Sequence, residues 1–311
     1  MREFGRTGIR VSEVGFGAWA IGGEAYGQVA QQSSLDALAR AEELGCNFVD
    51  TAMVYGDSEL LLGKFLTGRR SRWVISTKYS GQAEGLQRTL ETQLKRLGTD
   101  YIDFYMIHWA PSADEAPLYE ELYRAKKSGK VRAVGISLKT AKDVDAALDA
   151  GMLDGFMVKF SLLDPDPFLA CRARIRAARP AVVIRSALRE GFLTGKYGRN
   201  AQFPDPRDQR HSWTREQIEK TVDQVEKFRF LESGAGSMAA AAARYPLSFN
   251  EVSTVVLGTK NVAQAANNFG VIPGKRLPPA DLESISRVQL DLGLRSWRNR
   301  AGQFARELMS R

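Results

Sequence analysis

Residues 101–137 read YIDFYMIHWAPSADEAPLYEELYRAKKSGKVRAVGIS, and the order of patterns within them decides the fold. The apolar, aromatic-rich run Tyr101–Trp109 is typical of a buried strand, and Val131–Ser137 repeats that pattern. Between the two runs, Pro117–Lys127 spaces its apolar residues as a helix does. Two strands joined by one helix predict parallel pairing through a right-handed crossover.

The same alternation continues along residues 10–270. Strand-like runs lie at Val14–Ala20, Asn47–Ala52, Trp73–Tyr79, Tyr101–Trp109, Val131–Ser137, Gly155–Leu163, Ala181–Leu188 and Val252–Gly258. Helical patterns lie at Ser33–Leu44, Ser58–Leu66, Gly85–Leu97, Pro117–Lys127, Ala141–Ala150, Pro167–Ala178, Thr214–Phe230 with Met238–Tyr245, and Val262–Phe269. Such a series fits either a closed barrel or an open doubly wound sheet, and the eight strands favour the barrel. The glycines between residues 15 and 23 also favour it, since their spacing does not match the dinucleotide fingerprint G-x-G-x-x-G.

Both ends of the chain extend this core. Arg2–Val14 predicts a hairpin that turns near Gly5–Gly8 and plugs the barrel floor. Pro278-Pro279-Ala280 begins a C-terminal helix, and the basic tail Leu294–Arg311 contains Trp297. We therefore expect residues 1–311 to form one domain of the α/β class. This domain is a (β/α)8 TIM barrel with an N-terminal β-hairpin and a C-terminal helical extension.

Composition limits the function classes. Hydrophobic residues make up 44% of the chain and charged residues 26%, as in ordinary globular enzymes. The net charge is +8, but the basic residues mostly alternate with alanines or acids at helical spacing, so we expect solvated helix faces and no nucleic-acid partner. The N-terminal stretch has no long hydrophobic run, which predicts a cytoplasmic protein without a signal peptide or a membrane partner. Cys46 and Cys171 are expected to be buried free thiols.

Polar residues at the carboxyl ends of barrel strands point into the active site of such a fold. The second strand ends near Asp50 and is followed by Tyr55, the third ends at Lys78, and the fourth ends near His108. A lysine cation lowers the pKa of a nearby tyrosine, an aspartate holds that lysine in place, and a histidine can orient a carbonyl oxygen. The group predicts a general acid that protonates the oxyanion formed when a carbonyl accepts a hydride.

Each of these four residues also has a structural explanation when taken alone. Asp50 can cap a helix, Tyr55 can pack within a loop, Lys78 can lie on the surface, and His108 can be a satisfied histidine at the barrel rim. Their joint order on adjacent strands favours the catalytic interpretation. Metal binding is not expected, because His108 and His211 are the only histidines and neither has a carboxylate at i+3 or i+4.

The stretch Asp50-Thr-Ala-Met-Val-Tyr55-Gly-Asp-Ser-Glu59-Leu-Leu-Leu-Gly63 resembles the signature of the aldo-keto reductase superfamily. Ile-Ser-Thr-Lys78, Met-Ile-His108-Trp and Gly191-Phe-Leu-Thr-Gly-Lys196-Tyr are similar to further motifs of that family, and the resemblance runs from Phe4 to about Asn268. It implies that Tyr55 is the acid, that Lys78 and Asp50 tune it, and that His108 positions the substrate. It implies an NAD(P)H-dependent enzyme that reduces an aldehyde, ketone or sugar carbonyl to an alcohol. The alternative is a cofactor-binding regulatory subunit of the same fold with incidental turnover.

The resemblance also implies that NADPH, or less favourably NADH, lies extended across the barrel mouth. The turn Gly258-Thr259 before a helix suits a phosphate, because free N–H groups and the helix dipole both attract an anion. Lys260 is the expected partner of a 2′-phosphate, and Gln264 and Asn268 lie at i and i+4 on one face, as adenosine contacts would. The remaining cofactor contacts are expected at the strand ends, at Ser137, Arg185, Ser186 and Leu188.

The chain departs from the family pattern where the nicotinamide would lie. Leu138 stands in place of an asparagine after the fifth strand, Met157 in place of a glutamine on the sixth, and Arg185 in place of a tyrosine that stacks on the ring. A guanidinium plane can stack on a ring as well, so Arg185 can substitute for that tyrosine. Carboxamide recognition then rests on Ser137, backbone groups or water.

Two further features concern access to the site. Trp19 and Trp109 are expected to wall the substrate pocket, with core packing as the alternative for Trp109. The polar loop Gly195–Arg215 is too long for a simple connector and is either a lid over the cofactor or a solvated loop. Its candidate contacts are Arg207, Arg210, His211 and Trp213. The expected ligand is a small carbonyl compound, and the expected state is a monomer or a weak homo-oligomer.

Overall fold

The computed structural model describes residues 1–23, 27, 29–109, 116–151 and 153–295. A short hairpin pairs β1 (Arg2–Glu3) with β2 (Arg10–Val11) in antiparallel fashion. The barrel strands are β3 (Val14–Gly17), β4 (Phe48–Asp50), β5 (Val74–Tyr79), β6 (Ile102–Ile107), β7 (Val131–Leu138), β8 (Gly155–Lys159), β9 (Ala181–Arg185) and β10 (Thr254–Gly258). Each barrel strand pairs in parallel with the next, and β10 closes on β3. The predicted TIM barrel with its N-terminal hairpin is confirmed.

Helices surround this barrel. They are α1 (Gln31–Glu43), α2 (Ser58–Leu66), α3 (Leu86–Leu97), α4 (Ala116–Lys127), α5 (Ala141–Ala150), α6 (Asp166–Leu169), α7 (Arg172–Ala178), α8 (Arg215–Glu226), α9 (Leu231–Ala235), α10 (Met238–Leu247), α11 (Val262–Ala265) and α12 (Pro279–Asp291). Capping boxes fix the start of two of them, with Thr140 opposite Asp143 on α5 and Thr214 opposite Gln217 on α8. Within the described ranges no helix has the length and apolar character needed to cross a bilayer.

The hairpin closes the floor of the barrel. Phe4 is fully buried there, with its ring centroid 5.0 Å from that of Phe104 in an edge-on contact. Gly5 has a φ of 58°, and a Cβ at this position would overlap the backbone of Ala181, so the turn requires glycine. Arg2 donates hydrogen bonds to the carbonyl oxygens of three residues near the start of β10, namely Leu247, Phe249 and Val252.

The pleat of the strands decides which side chains face the barrel interior. Successive side chains alternate between the two faces of a strand. Phe48 on β4 and Val183 on β9 pack with Phe4 in the interior of the barrel. Asp50 and Arg185, two positions further along these strands, therefore also face the interior, one layer higher. The same alternation on the other strands builds an upper inward layer that contains Asp50, Lys78, His108, Ser137 and Arg185.

Several predicted boundaries differ from the structure. The first barrel strand ends at Gly17 instead of Ala20, because Ala18–Ile21 turn into a 3-10 helix. The predicted strand Ala181–Leu188 ends at Arg185, because Ser186 adopts a left-handed φ of 56° that breaks the extended backbone. The predicted helix Pro167–Ala178 is split into α6 and α7, and the helix predicted from Val262 continues from α11 as a π-helix over Ala266–Val271.

Two other predictions concern the cysteines and the C-terminus. Cys46 and Cys171 are free and buried, as predicted, and burial raises the pKa of each thiol to about 12. The predicted C-terminal helix is confirmed as α12. Trp297 and the rest of the tail from residue 296 lie outside the described residues, so the assignment of all 311 residues to one domain stays a prediction.

Candidate active site

A buried ion pair forms the base of the candidate site. Lys78 extends from the upper inward layer on β5, and its Nζ lies 2.8 and 2.7 Å from the two carboxylate oxygens of Asp50 on β4. The ammonium also donates to the carbonyl oxygen of Thr51, and Ser76 donates to Asp50. Burial acts to lower the pKa of Lys78, but the carboxylate of Asp50 and the phenol of Tyr55 raise it on balance. The lysine therefore stays charged at neutral pH.

Tyr55 lies above this pair in the turn between β4 and α2. Its ring centroid is 5.8 Å from that of Trp19 in a stacked contact and 5.9 Å from that of His108 in an edge-on contact. The Nζ of Lys78 lies 4.9 Å from the same centroid. Burial raises the pKa of Tyr55 above its usual 10, although the charge of Lys78 acts to lower it. Lys78 thus acts on the pKa of Tyr55 in the predicted direction, but desolvation outweighs it, so the phenol holds its proton at neutral pH.

A buried hydrogen-bond network holds the turn that carries Tyr55. Glu59, on the first turn of α2, accepts hydrogen bonds from Thr77 at 2.9 Å and from Gln93 at 2.8 Å. The guanidinium of Arg96 donates both to Glu59 and to the carbonyl oxygen of Gly56, next to Tyr55. The sequence motif included Glu59 but did not reveal Gln93 or Arg96, since both reach it from α3 only after α2 and α3 pack together.

His108 lies beside Tyr55 at the end of β6, where it lines the cavity at the barrel mouth. Its Nδ1 is 3.1 Å from the hydroxyl oxygen of Ser80. Burial lowers the pKa of His108 to about 4, and the positive charges of Lys78, Arg185 and Lys139 lower it further in the same direction. The imidazole is therefore neutral at physiological pH and can donate only one N–H at a time.

We expect the His108 imidazole to titrate near pH 4 in the folded protein. The ordinary pKa is 6.5, so between these values the unfolded chain binds more protons at this residue than the folded chain does. The contribution of His108 to the free energy of unfolding is then complete above pH 6.5 and is lost as the pH falls towards 4. The measurement is a two-dimensional ¹H–¹⁵N NMR titration of the imidazoles. His108→Asn assigns the signal among the two histidines, and a midpoint at 6.5 in the native protein would contradict the buried, cation-flanked placement.

One cavity of about 840 Å³ extends from these residues to the loops that follow β9 and β10. Asp50, Tyr55 and His108 line one part of it. Lys196, Arg210 and Lys260 line another part, and the charges of Lys196 and Arg210 act with burial to lower the pKa of Lys260. Arg210 is paired with Asp208 at 2.6 Å, so Lys196 and Lys260 are the cations at this part of the cavity that suit the phosphates of a dinucleotide.

The residues predicted to hold the adenosine end lie at this basic part. Gly258, Lys260, Gln264 and Asn268 line the cavity. The Gln264 side chain accepts a hydrogen bond from the backbone N–H of Lys260, and Asn268 donates to Thr259. Both side chains therefore also shape the loop after β10. The Thr259 side chain is fully buried beneath that loop, where it donates to the carbonyl oxygen of Leu257.

The predicted nicotinamide contacts lie near Tyr55. Ser137, Arg185, Ser186 and Leu188 line the cavity, and so does the buried Met157. Leu138 is buried in the outer core and offers its carbonyl oxygen to the Nη2 of Arg185 at 3.2 Å. The lining also contains Lys139, two residues beyond Ser137, which the sequence analysis did not single out.

The two tryptophans that were predicted to wall the substrate pocket lie in different surroundings. Trp19 lines the cavity, whereas the half-buried Trp109 packs against the main core cluster and is not among the described residues that line the cavity.

In the long polar loop 195–215, Arg210 is buried and donates to Asp208, to Tyr197 and to the carbonyl oxygen of Glu190. The Trp213 ring stacks on Phe192 with an interplanar angle of 3°. Arg207 and His211 are exposed, so one part of the loop is packed onto the barrel mouth and the other faces solvent.

The described residues bring no three histidine, cysteine or carboxylate side chains together as a metal site. Asp50, the carboxylate beside Tyr55, is neutralised by Lys78 at 2.7 Å.

Comparison with known proteins gives one consistent result. The model of the "Aldo/keto reductase family" matches residues 13–289. "Aldo-keto reductase YhdN" of Bacillus subtilis is 27% identical over 309 residues, which cover 91% of each chain. "NADH-specific methylglyoxal reductase" of Escherichia coli is 27% identical over 321 residues, which cover 93% of each chain. Among solved structures, the holo form of aldo-keto reductase AKR11C1 from Bacillus halodurans has a TM-score of 0.78 at 23% identity and covers 92% of this chain and 95% of that chain. The resemblance inferred from the sequence motifs is confirmed.

Proposed function

The chain belongs to the aldo/keto reductase family, whose members are NAD(P)H-dependent oxidoreductases, and on that premise we propose that it reduces an aldehyde, ketone or sugar carbonyl to an alcohol with NADPH. The observation that carries this proposal is the shared cavity. Asp50, Tyr55 and His108 line the same space as the cationic residues in the loops after β9 and β10. A proton donor and a dinucleotide site that open into one cavity are the two parts a carbonyl reductase needs.

The side chains present fit a phosphorylated dinucleotide. Lys196 and Lys260 supply positive charge for its phosphates, and the cavity extends from them to Tyr55. We assign Arg185, Ser137 and Leu188, which line the cavity, to the nicotinamide end. When bound, the reduced nicotinamide supplies a hydride to the carbonyl carbon, and the remaining steps fall to the protein.

Tyr55 and His108 are placed to receive the carbonyl oxygen together. The neutral imidazole of His108 can donate one hydrogen bond to that oxygen, and the phenol of Tyr55 can donate the other. As negative charge develops on the oxygen, Tyr55 transfers its proton and becomes a phenolate. Lys78 stabilises the phenolate because its ammonium lies against the ring, and Asp50 keeps that ammonium charged and fixed. The products are an alcohol, the oxidised cofactor and a phenolate that regains its proton from water.

A turnover assay with the native protein tests the proposal. NADPH is mixed with a panel of small aldehydes, ketones and sugars, and the loss of absorbance of the reduced nicotinamide is followed over time. We expect many molecules of NADPH to be oxidised per protein chain with at least one class of carbonyl compound. Oxidation that stops after about one equivalent would instead support a regulatory subunit with incidental turnover. Binding of NADPH without any oxidation across the panel would overturn the proposal.

Lys260→Ala is expected to weaken NADPH binding by roughly 10- to 100-fold and to leave NADH binding almost unchanged. The reason is that an ammonium bonded to a phosphate contributes about 1.5–3 kcal/mol, and only NADPH carries the 2′-phosphate. Dissociation constants of both cofactors are measured by fluorescence titration for the native and variant proteins. Lys275→Ala removes one exposed charge outside the cavity and serves as the control. An unchanged ratio of the two constants in Lys260→Ala would contradict this role.

A further inference from the structure

The pairing of β5 with β6 brings the side chain of Ser80 to the imidazole of His108. Ser80 directly follows β5, two positions after Lys78, so its side chain is on the same face of the strand as that of the lysine. The two strands pair in parallel up to Tyr79 and Ile107, and the backbone N–H of His108 donates to the carbonyl oxygen of Tyr79 at 2.9 Å. The next residue along each strand is therefore beside the other, and the hydroxyl oxygen of Ser80 lies 3.1 Å from Nδ1 of His108.

The hydrogen-bond partner of Nδ1 decides what the other ring nitrogen can do. A neutral imidazole holds one proton, and the hydrogen bond made by one nitrogen fixes which of the two carries it. A carboxylate beside Nδ1 can only accept, so it holds the proton on Nδ1 and leaves Nε2 as a base, as in the serine protease triad. A hydroxyl group can donate to Nδ1 instead, and Nε2 then keeps the proton and is a hydrogen-bond donor.

The surroundings of His108 provide no such acceptor. Among the described residues, the hydroxyl of Ser80 is the hydrogen-bond partner of Nδ1, and Nε2 has none. The charged groups that shift the pKa of the imidazole are the cations Lys78, Arg185 and Lys139, and no acid is among them. The ring lines the cavity, whereas the side chain of Ser80 is exposed, so the contact lies on the solvent side of the site.

The second histidine shows the opposite arrangement. Nδ1 of His211 lies 2.8 Å from the carbonyl oxygen of Phe203. A carbonyl oxygen can only accept a hydrogen bond, so the neutral ring of His211 carries its proton on Nδ1. The chain therefore contains its own reference for the tautomer that a pure acceptor imposes.

We propose that Ser80 is a positioning residue, which donates a hydrogen bond to Nδ1 of His108 and thereby keeps the imidazole proton on Nε2. This proton can then be donated to the carbonyl oxygen of the substrate as negative charge develops there, next to the phenol of Tyr55. The proposal rests on the reductase function proposed above and assigns the group that prepares His108 for it. The residue at position 80 thus decides whether His108 acts as a donor or as a base.

The tautomers are measured by long-range ¹H–¹⁵N NMR correlation at about pH 8, above the ordinary pKa of an imidazole. Such spectra distinguish a protonated ring nitrogen from an unprotonated one, and His108→Asn assigns the two sets of signals. In the native protein we expect the proton on Nε2 of His108 and on Nδ1 of His211. Ser80→Asp should move the His108 proton to Nδ1, Ser80→Ala should give a mixture because water can donate or accept, and Ser80→Thr should keep the native state.

Steady-state kinetics with NADPH and the best carbonyl substrate give the second readout. Ser80→Asp should lower kcat/KM by about 10²- to 10³-fold, since the developing oxyanion loses one of its two donors. Ser80→Ala should lower it by about 2- to 10-fold, and Ser80→Thr should restore it. Gln82→Glu is the matched control, because it adds an equal charge on an exposed side chain two residues further along and should keep the native value.

A His108 proton on Nδ1 in the native protein would overturn the proposal. So would a tautomer, or a value of kcat/KM, that Ser80→Asp changes no more than Gln82→Glu does. Failure of the reductase function gives a different result, since no carbonyl compound would then be reduced while the NMR spectra would still show the two histidines in opposite tautomers.

Discussion

Tyr55→Phe is expected to lower kcat for carbonyl reduction by about 10²- to 10⁴-fold, because the reaction loses its general acid. The substitution removes one hydroxyl group and keeps the aromatic ring, so the stacking on Trp19 and the contact with His108 are retained. The dissociation constant for NADPH should therefore change little. Steady-state kinetics on the best carbonyl substrate and a fluorescence titration of NADPH measure the two quantities separately.

Tyr123→Phe is the matched control for this experiment. Tyr123 lies on α4, and its buried hydroxyl oxygen has no hydrogen-bond partner among the described residues. Loss of that hydroxyl should leave kcat at the native value. If Tyr55→Phe kept native turnover on every substrate that the protein reduces, the assignment of Tyr55 as the acid would be wrong, whatever the effect on cofactor binding.

Lys78→Met is expected to lower the free energy of unfolding by about 3–5 kcal/mol and to abolish turnover, because it leaves the buried carboxylate of Asp50 without its cation. Asp50 would keep the hydrogen bond from Ser76 but lose both bonds from Lys78, at 2.8 and 2.7 Å. Methionine has a similar shape, so the loss comes from the charge and its hydrogen bonds. Urea unfolding followed by circular dichroism measures the change in stability.

The double variant Asp50→Asn with Lys78→Met separates the two effects. Replacing the carboxylate with a neutral amide removes the uncompensated charge, so the double variant should recover much of the stability lost in Lys78→Met. It should not recover activity, since Tyr55 still lacks the cation that stabilises its phenolate. A double variant that is no more stable than Lys78→Met would show that the ion pair is not the source of the loss.

Much of the site could be predicted because side chains alternate between the two faces of a strand with a period of two residues. Asp50, Lys78 and His108 follow buried strand residues at the correct spacing, so their inward direction can be read from the sequence. Tyr55 lies in a loop, and its position came from the motif it shares with the family. The direction of its pKa shift could not be predicted, because that depends on how completely the phenol is removed from water.

The parts that the sequence did not reveal depend on packing between distant segments. Arg96 and Gln93 reach Glu59 because α3 lies against α2, and nothing in the local pattern of α3 indicates that contact. Arg210 was recognised only as one of several candidates in a polar loop, since its burial depends on the fold of that loop over Tyr197 and Glu190. The strands that end at Gly17 and Arg185 were predicted to be longer, because the backbone turns at these residues without a change in the hydrophobic pattern.

The contact between Arg2 and the segment before β10 has a consequence for synthesis of the chain on the ribosome. Arg2 binds the carbonyl oxygens of residues 245 to 250 positions later, and β3 must pair with β10 to close the barrel. Translation at about 5–20 residues per second separates the emergence of these partners by roughly 10–50 s. Throughout that interval one edge of β3 has no partner strand, and exposed strand edges are sites of aggregation. We therefore expect this edge of β3 to be an aggregation-prone part of the nascent barrel until β10 has been synthesised.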